Sequence, residues 1–433
     1  MVLKISPTSP AARDYSTKSD DTDIEDVIMG MKYAALAITD DNPDTLKKIG
    51  KLNPWHVEAL KIITGSEEEA HKPLTYLLKE YMDLECDTII DISGMTKGGH
   101  FLDTQGYIAH NDDVVVLSFR CTTSIFDWLT NLNSTSSEWE IEEDAAQGFS
   151  GFASGLEGLC CNASPKPRVH TGFYNNFLST IPLIKQYIDP LLSSSSADQP
   201  VRKLYVVGHS LGAGIATLAA CYFLLEYDWN ILPHSLVGVT AGSPRTCLSQ
   251  MQELVNEELA KKSEKVKMLR VVRDKDVVAT VPPAILGFHH LGQLVYIAED
   301  GTITFDASDM EEAAVDEERV KKSAAKYVLR DTDNNEDTTT SNLDKNADGE
   351  VTKYDKKVAK IPKAFRDHMP DFYLSPMKRY RLNLFPAEVE TEKTESEKGT
   401  GTVDEPEREV KTTKSKRFLG MFRSRKSRSK ASI

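Results

Sequence analysis

The 433-residue chain has no run of about eighteen apolar residues, so no stretch of it is written to cross a bilayer as a helix. Its opening residues, Met1 to Asp14, lack the apolar core that a secretory signal carries. Cysteine is sparse and unpatterned: Cys86, Cys121, Cys160, Cys161, Cys221 and Cys247 have no metal-ligand spacing, and two of them are adjacent. This excludes a zinc module or a disulfide framework as the basis of the fold, and free thiols in a reducing compartment are expected. The sequons at Asn133 and Asn162 are then expected to stay unmodified. No internal repeat is present. Acidic residues exceed basic ones, giving a net charge of −14, yet residues 411–433 contain no Asp or Glu at all. A cytoplasmic protein is the expectation.

What the chain does contain is one organising stretch. Leu204 to Val207 are apolar, Gly208-His209-Ser210-Leu211-Gly212 follows, and an Ala/Leu-rich run extends from Ala213 to Leu225. A lone Gly-x-Ser-x-Gly arises readily by chance. A strand-like run before it and a helix-like run after it make it the strand, sharp turn and helix of a nucleophile elbow. The glycines at 208 and 212 stand where side chains would collide, Gly214 allows close helix packing, and Ser210 is the candidate nucleophile.

Taken in order, residues 1–25 are polar and expected to be disordered. Helices are expected over Val27–Ile38, Asn42–Leu52, Pro54–Ile63 and Glu67–Met82, the last with Ser66 and Glu69 as a capping box. This helical layer, 26–82, precedes a strand near Thr88–Ile92 and a hairpin of Thr104–His110 with Val114–Phe119. A short amphipathic helix follows Arg120, and residues 133–168 read as an excursion. A helix over Asn175–Leu191 precedes the elbow strand. Strands at Ser235–Ala241 and Val266–Val272 flank a helix near Leu248–Ser263, and Leu294–Ile297 with Thr302–Phe305 forms a hairpin. Strands alternating with helices predict an α/β fold with a mainly parallel central sheet and helices on both faces. One folded domain is expected over 26–385, interrupted by an acidic insertion at 306–360 and followed by a disordered tail at 386–433.

A serine hydroxyl is a weak nucleophile. It needs a base, and the base needs a carboxylate to fix its tautomer. The partners are sought at strand C-terminal ends after the serine, acid before histidine. Asp274 and Asp276 are candidate acids; His289, His290 and His368 are candidate bases. His289 and His290 beside Phe288 read more readily as core histidines.

Further blocks resemble the fungal-type class 3 lipases, with a weaker similarity to sn-1-specific diacylglycerol lipases. Val114–Asn131, Val169-His170 with Gly172-Phe173, Gly242-Ser243-Pro244-Arg245, Asp276 through Pro283, and Asp367-His368 with Tyr373 look like that family's blocks in the family's order. The resemblance implies an α/β-hydrolase fold and a catalytic triad of Ser210, Asp276 and His368. It implies oxyanion donors at the backbone N–H groups of Leu211 and Thr122, and a lid carrying Ile125, Phe126, Trp128 and Leu129 within 122–168. One departure stands out: Cys121 occupies a position where the family usually has glycine.

Two features lie outside that pattern. Asp344, Asn346, Asp348, Glu350, Thr352 and Asp355, with Gly349 at the sharp turn, fit the twelve-residue EF-hand loop. No entering helix is evident, and the twelfth position is the shorter Asp rather than Glu. The expectation is a Ca²⁺ site that orders the insertion before His368, with no cofactor needed for catalysis. In 411–433, basic residues bracket Phe418-Leu419-Gly420-Met421-Phe422, a composition suited to an anionic membrane or lipid-droplet surface rather than specific nucleic-acid binding. The resulting expectation is a carboxylic ester hydrolase of the triacylglycerol lipase type acting on glycerolipids. The runners-up are a phospholipase A1 or diacylglycerol lipase, and an inactive Ca²⁺-responsive membrane adaptor.

Overall fold

The computed structural model describes residues 21–42, 54–96, 99, 101–121, 134–140, 166–193, 201–305 and 361–379. Packing divides the chain into residues 1–388 and 389–433, and every described residue lies in the first unit.

The N-terminal layer consists of α1 (Asp21–Leu36), α2 (Pro54–Thr64) and α3 (Leu74–Met82). The expected helix over Glu67–Met82 is shorter than its pattern. Pro73 lacks an amide hydrogen and disfavours helix at Lys72, so a turn at Glu69–His71 ends there and α3 begins afresh. Ser66 does accept from the Glu69 N–H at 3.4 Å, but it caps only that turn. Helix α1 starts at Asp21, within the stretch expected to be disordered. The Asn42–Leu52 helix lies outside the described residues apart from Asn42.

The sheet is built from β1 (Glu85–Met95), β2 (Phe101–His110), β3 (Val114–Phe119), β6 (Lys203–His209), β7 (Ser235–Ala241), β8 (Val266–Arg273), β9 (Gln293–Ile297) and β10 (Ile303–Phe305), in that spatial order. Strands β3, β6, β7, β8 and β9 run parallel; β1, β2 and β10 add antiparallel edges. A separate pair, β4 (Ser136–Glu138) with β5 (Arg168–His170), is antiparallel. Helices α4 (Thr171–Leu183), α5 (Leu211–Glu226) and α6 (Ser249–Lys261) complete the connections. Helix α4 begins four residues before the expected start, because the His170 ring accepts from the Gly172 N–H and caps it there. The last described segment holds two single turns, α7 (Lys363–Arg366) and α8 (Pro370–Leu374).

Alternation along the strands sends side chains to two cores. Tyr205 and Val207 of β6, with Val237 and Val239 of β7, meet α1 and α2 on one face. Leu204 and Val206 meet α4 and α5 on the other. Central parallel strands buried on both faces require apolar runs, as Leu204–Val207 and Val114–Leu117 supply. Helix α5 is buried from Gly212 through Leu224, which explains why its sequence is apolar all round rather than amphipathic. This is the α/β-hydrolase arrangement, with the carboxyl ends of β3, β6, β7 and β8 on one edge. No helix among the described residues is long and apolar enough to cross a membrane.

Helix α1 is tied to the sheet by one buried carboxylate. Asp26 accepts from Lys203 Nζ at 2.6 Å, Tyr205 Oη at 2.7 Å and Lys267 Nζ at 3.3 Å. Asp26→Ala strands the Tyr205 hydroxyl and is expected to cost about 2 kcal/mol. The check is a urea unfolding curve, whose midpoint should fall while its slope stays unchanged.

Candidate active site

The β6–α5 turn places Ser210 at φ 59°, ψ −126°, a left-handed backbone for a residue with a side chain. Such strain persists only where the surroundings impose it, and here they do. The Ser210 N–H bonds Ala241 O at 3.0 Å, and the Ser210 carbonyl caps α5 by accepting from Ala213 N–H at 3.0 Å. A Cβ on Gly212 would stand 2.3 Å from the Phe119 carbonyl oxygen and 2.7 Å from that of Arg120, so glycine alone lets the end of β3 lie against the turn. Gly208 is held likewise, its added Cβ meeting Gly212 O at 2.3 Å.

His368 and Asp276 come together from segments ninety-two residues apart. His368 Nδ1 lies 2.8 Å from both oxygens of Asp276. Since a carboxylate only accepts, Nδ1 carries the hydrogen and Nε2 is left with its lone pair free. Asp276 Oδ1 also accepts from Val278 N–H at 2.8 Å, and Oδ2 from the Tyr373 hydroxyl. Tyr373 Oη in turn accepts from Arg273 N–H at 3.1 Å. Burial, then the charge of Asp276, pushes the Tyr373 phenol well above its usual range, so it stays a donor. Ser210, Asp276 and His368 are 2%, 1% and 2% exposed, and among the described residues neither Ser210 Oγ nor His368 Nε2 has a hydrogen-bond partner.

Two neighbours of the Ser210 turn pack against the histidine. The ring of His209, next to Ser210, stacks on that of His368 with centroids 4.7 Å apart, and His209 Nε2 donates to His368 O at 2.8 Å. On the other side Gly242, at φ +56°, follows the Ala241 carbonyl that holds Ser210. A Cβ there would sit 2.6 Å from Asp276 Oδ2 and 2.8 Å from His368 Nδ1.

The segment carrying His368 is pinned to the β8 end. Lys363 Nζ pairs with Asp274, with Asp367 Oδ2 at 2.9 Å and with Glu299 Oε1 at 3.5 Å. Arg273 Nη1 donates to Phe372 O at 2.8 Å, and Val277 N–H to Ala364 O at 3.1 Å. This separates the two acid candidates. Asp274 is occupied by Lys363 and by the Tyr296 hydroxyl at 3.2 Å, and only Asp276 reaches a histidine base. His290 Nε2 bonds the Ala279 carbonyl at 2.8 Å, and the backbone of His289 bridges to that of Cys247. Both are therefore built into the loop after β8.

Leu211 opens α5, so its N–H is one of the donors that a helix start leaves without an intrahelical partner, directly beside Ser210. Thr122, Ile125, Phe126, Trp128 and Leu129 lie outside the described residues, as do Asp344, Asn346, Asp348, Glu350, Thr352, Asp355 and residues 411–433. Among the described residues no group of three or more His, Cys, Asp and Glu could hold a metal ion. Cys121, buried, has its thiol pushed up to about 11 by burial, which leaves it protonated and a poor redox target at neutral pH. Tyr373 had a sequence signal, five residues after His368, but no role. Gly242 stands in the Gly-Ser-Pro-Arg block but had no role there, and Lys363 and His56 had no signal.

Residues 116–286 match the family described as Lipase (class 3). Among similar proteins, a chloroplastic phospholipase A(1) of Arabidopsis thaliana is 30% identical over 177 residues, 40% of this chain and 34% of that protein. A secreted mono- and diacylglycerol lipase of Gibberella zeae is 26% identical over 228 residues, 48% of this chain and 53% of its own length. A lipase of Rhizopus niveus is 26% identical over 192 residues, 44% and 41% of the two chains. The chain thus spans about a third to a half of these relatives. Over residues 116–286 the chain is similar to the class 3 lipases.

Gly242→Ala forces a strained φ and a clash with the His368–Asp276 pair, and is expected to cost about 2 kcal/mol or more, read from chemical denaturation. Burial, then Arg120, lowers the His56 pKa from 6.5 to about 3, and burial first also lowers those of His209 and His290. A depressed folded-state pKa means the unfolded chain binds protons first, so this contribution is complete above pH 6.5 and is lost as pH falls toward 3. Thermal unfolding across that window should show a falling midpoint, and His56→Gln should flatten part of the slope.

Proposed function

We propose that the chain is a serine acyl hydrolase that cleaves ester bonds of glycerolipids. The observation that carries this is the buried Asp276–His368 pair, its Nε2 lone pair free, beside a serine held in a strained turn. Ser210 Oγ attacks the ester carbonyl as His368 Nε2 takes its proton. Asp276 fixes the imidazole tautomer and stabilises the imidazolium, and Tyr373 holds Asp276 in place. Collapse of the tetrahedral intermediate gives an acyl-enzyme while His368 returns the proton to the leaving alcohol. Water then repeats the sequence and frees the acid. Leu211 N–H, at the positive end of α5, is one donor to the oxyanion. Thr122 N–H is the second by resemblance alone.

The substrate class is drawn from relatives and from sequence. Similar proteins bear the names of phospholipase A(1), mono- and diacylglycerol lipase and lipase, which supports a glycerolipid ester without choosing its head group. A phospholipase A1 or diacylglycerol lipase activity is the second reading. The inactive-adaptor reading is disfavoured, because an adaptor has no use for an intact serine, base and acid. Two proposals rest on sequence alone: Ca²⁺ at Asp344–Asp355, and peripheral contact of the 411–433 segment with an anionic lipid surface on the cytoplasmic side.

Ser210→Ala is expected to abolish labelling by a fluorophosphonate probe and hydrolysis of a short-chain ester. Asp276→Asn and His368→Ala should each lower kcat by about 10³-fold or more. Wild-type protein that neither labels nor hydrolyses any ester in a glycerolipid panel would sink the proposal. Added Ca²⁺ should raise the melting temperature of the wild type and leave that of Asp344→Ala unchanged. Equal melting with and without Ca²⁺ removes the metal reading.

A further inference from the structure

One polar side chain of the N-terminal layer lies against the candidate site. His56, near the start of α2, is buried, and its Nε2 lies 3.8 Å from the buried Cys121 Sγ. Cys121 follows the Arg120 carbonyl that lies against Gly212. The end of β3 is therefore caught between the nucleophile turn on one side and His56 on the other. A charge on the same ring would disfavour one on His209, which in turn stacks on His368 and bonds its carbonyl. His56 is thus in contact with the strand end beside Ser210 through Cys121.

This histidine is a costly way to fill space. Its Nδ1 is buried without a hydrogen-bond partner among the described residues, and an unsatisfied buried polar atom costs about 1–3 kcal/mol. An aliphatic side chain there would be free of that cost. Local violations of this kind collect where function demands them. The Cys121 thiol is the side chain this ring holds.

We infer that His56 is a positioning residue: through Cys121 it fixes the direction in which the chain leaves β3 beside Ser210. It acts through Cys121 and does not touch the reacting atoms. The inference rests on the proposed acyl hydrolase reading and extends it to the N-terminal layer, which lies outside the residues that match the family.

The test uses the full chain with a soluble short-chain ester and a fluorophosphonate probe. His56→Ala is expected to lower kcat about 10- to 100-fold and slow labelling in proportion, with KM changed less than about threefold. Cys121→Ala should do the same, while His56→Gln and Cys121→Ser, which keep a polar contact, should recover most of the rate. The double variant His56→Ala/Cys121→Ala should be no slower than either single one, as expected of residues acting through one contact. A His56→Ala protein that melts lower but keeps kcat within about twofold overturns the inference, as do fully additive effects. If His56→Ala does not fold, Cys121→Ala decides: unchanged kcat overturns, and a loss rescued by Cys121→Ser supports. Wild-type protein with no labelling and no hydrolysis refutes the hydrolase reading and this inference together. An active wild type with an equally active His56→Ala refutes the inference alone.

Discussion

The contact between His368 Nδ1 and Asp276 is the interaction on which the rest of the site depends. A carboxylate 1% exposed is tolerable only if its lone pairs are used. Val278 N–H, Tyr373 Oη and His368 Nδ1 use them. Those donors come from the loop after β8 and from the last described segment, so satisfying one buried charge fastens two distant parts of the chain together. The Lys363 pairs and the Arg273–Phe372 bond repeat that fastening nearer the surface. The geometry also fixes which imidazole nitrogen is free, and so which way the base can act.

The sheet supplies the other half. Apolar strands buried on both faces form a rigid platform, and the β6–α5 turn concentrates backbone strain at Ser210. Tight backbone packing at Gly208 and Gly212 carries that strain. The N-terminal layer is more than a cover for one face. Helix α1 is anchored by Asp26, and α2 packs on α8, the turn that follows His368. Helix positions laid down early in the chain therefore support residues near its end.

Much of this was legible in the sequence because the signals are local. The elbow shows itself in two glycines, a serine and a change from strand to helix pattern. The parallel sheet shows itself in apolar runs such as Leu204–Val207. Asp276 and His368 were named through family resemblance, while the residues alone left Asp274, His289 and His290 in contention. What separated them was tertiary: Lys363 occupies Asp274, and Ala279 occupies His290. The helix expected over Glu67–Met82 from its capping box breaks at Pro73, which lacks an amide hydrogen. Roles for Gly242, Tyr373 and His56 were invisible, since each depends on a neighbour tens to hundreds of residues away.

The most direct measurement is a crystal structure of the chain after reaction with an alkyl phosphonate that mimics the first tetrahedral intermediate. The account predicts a covalent bond from Ser210 Oγ to phosphorus. A phosphonyl oxygen should lie within hydrogen-bond reach of Leu211 N–H, and His368 Nε2 should face the leaving-group oxygen while Nδ1 stays on Asp276. An adduct on another residue, or a Ser210 adduct with His368 turned away from it, would contradict the account.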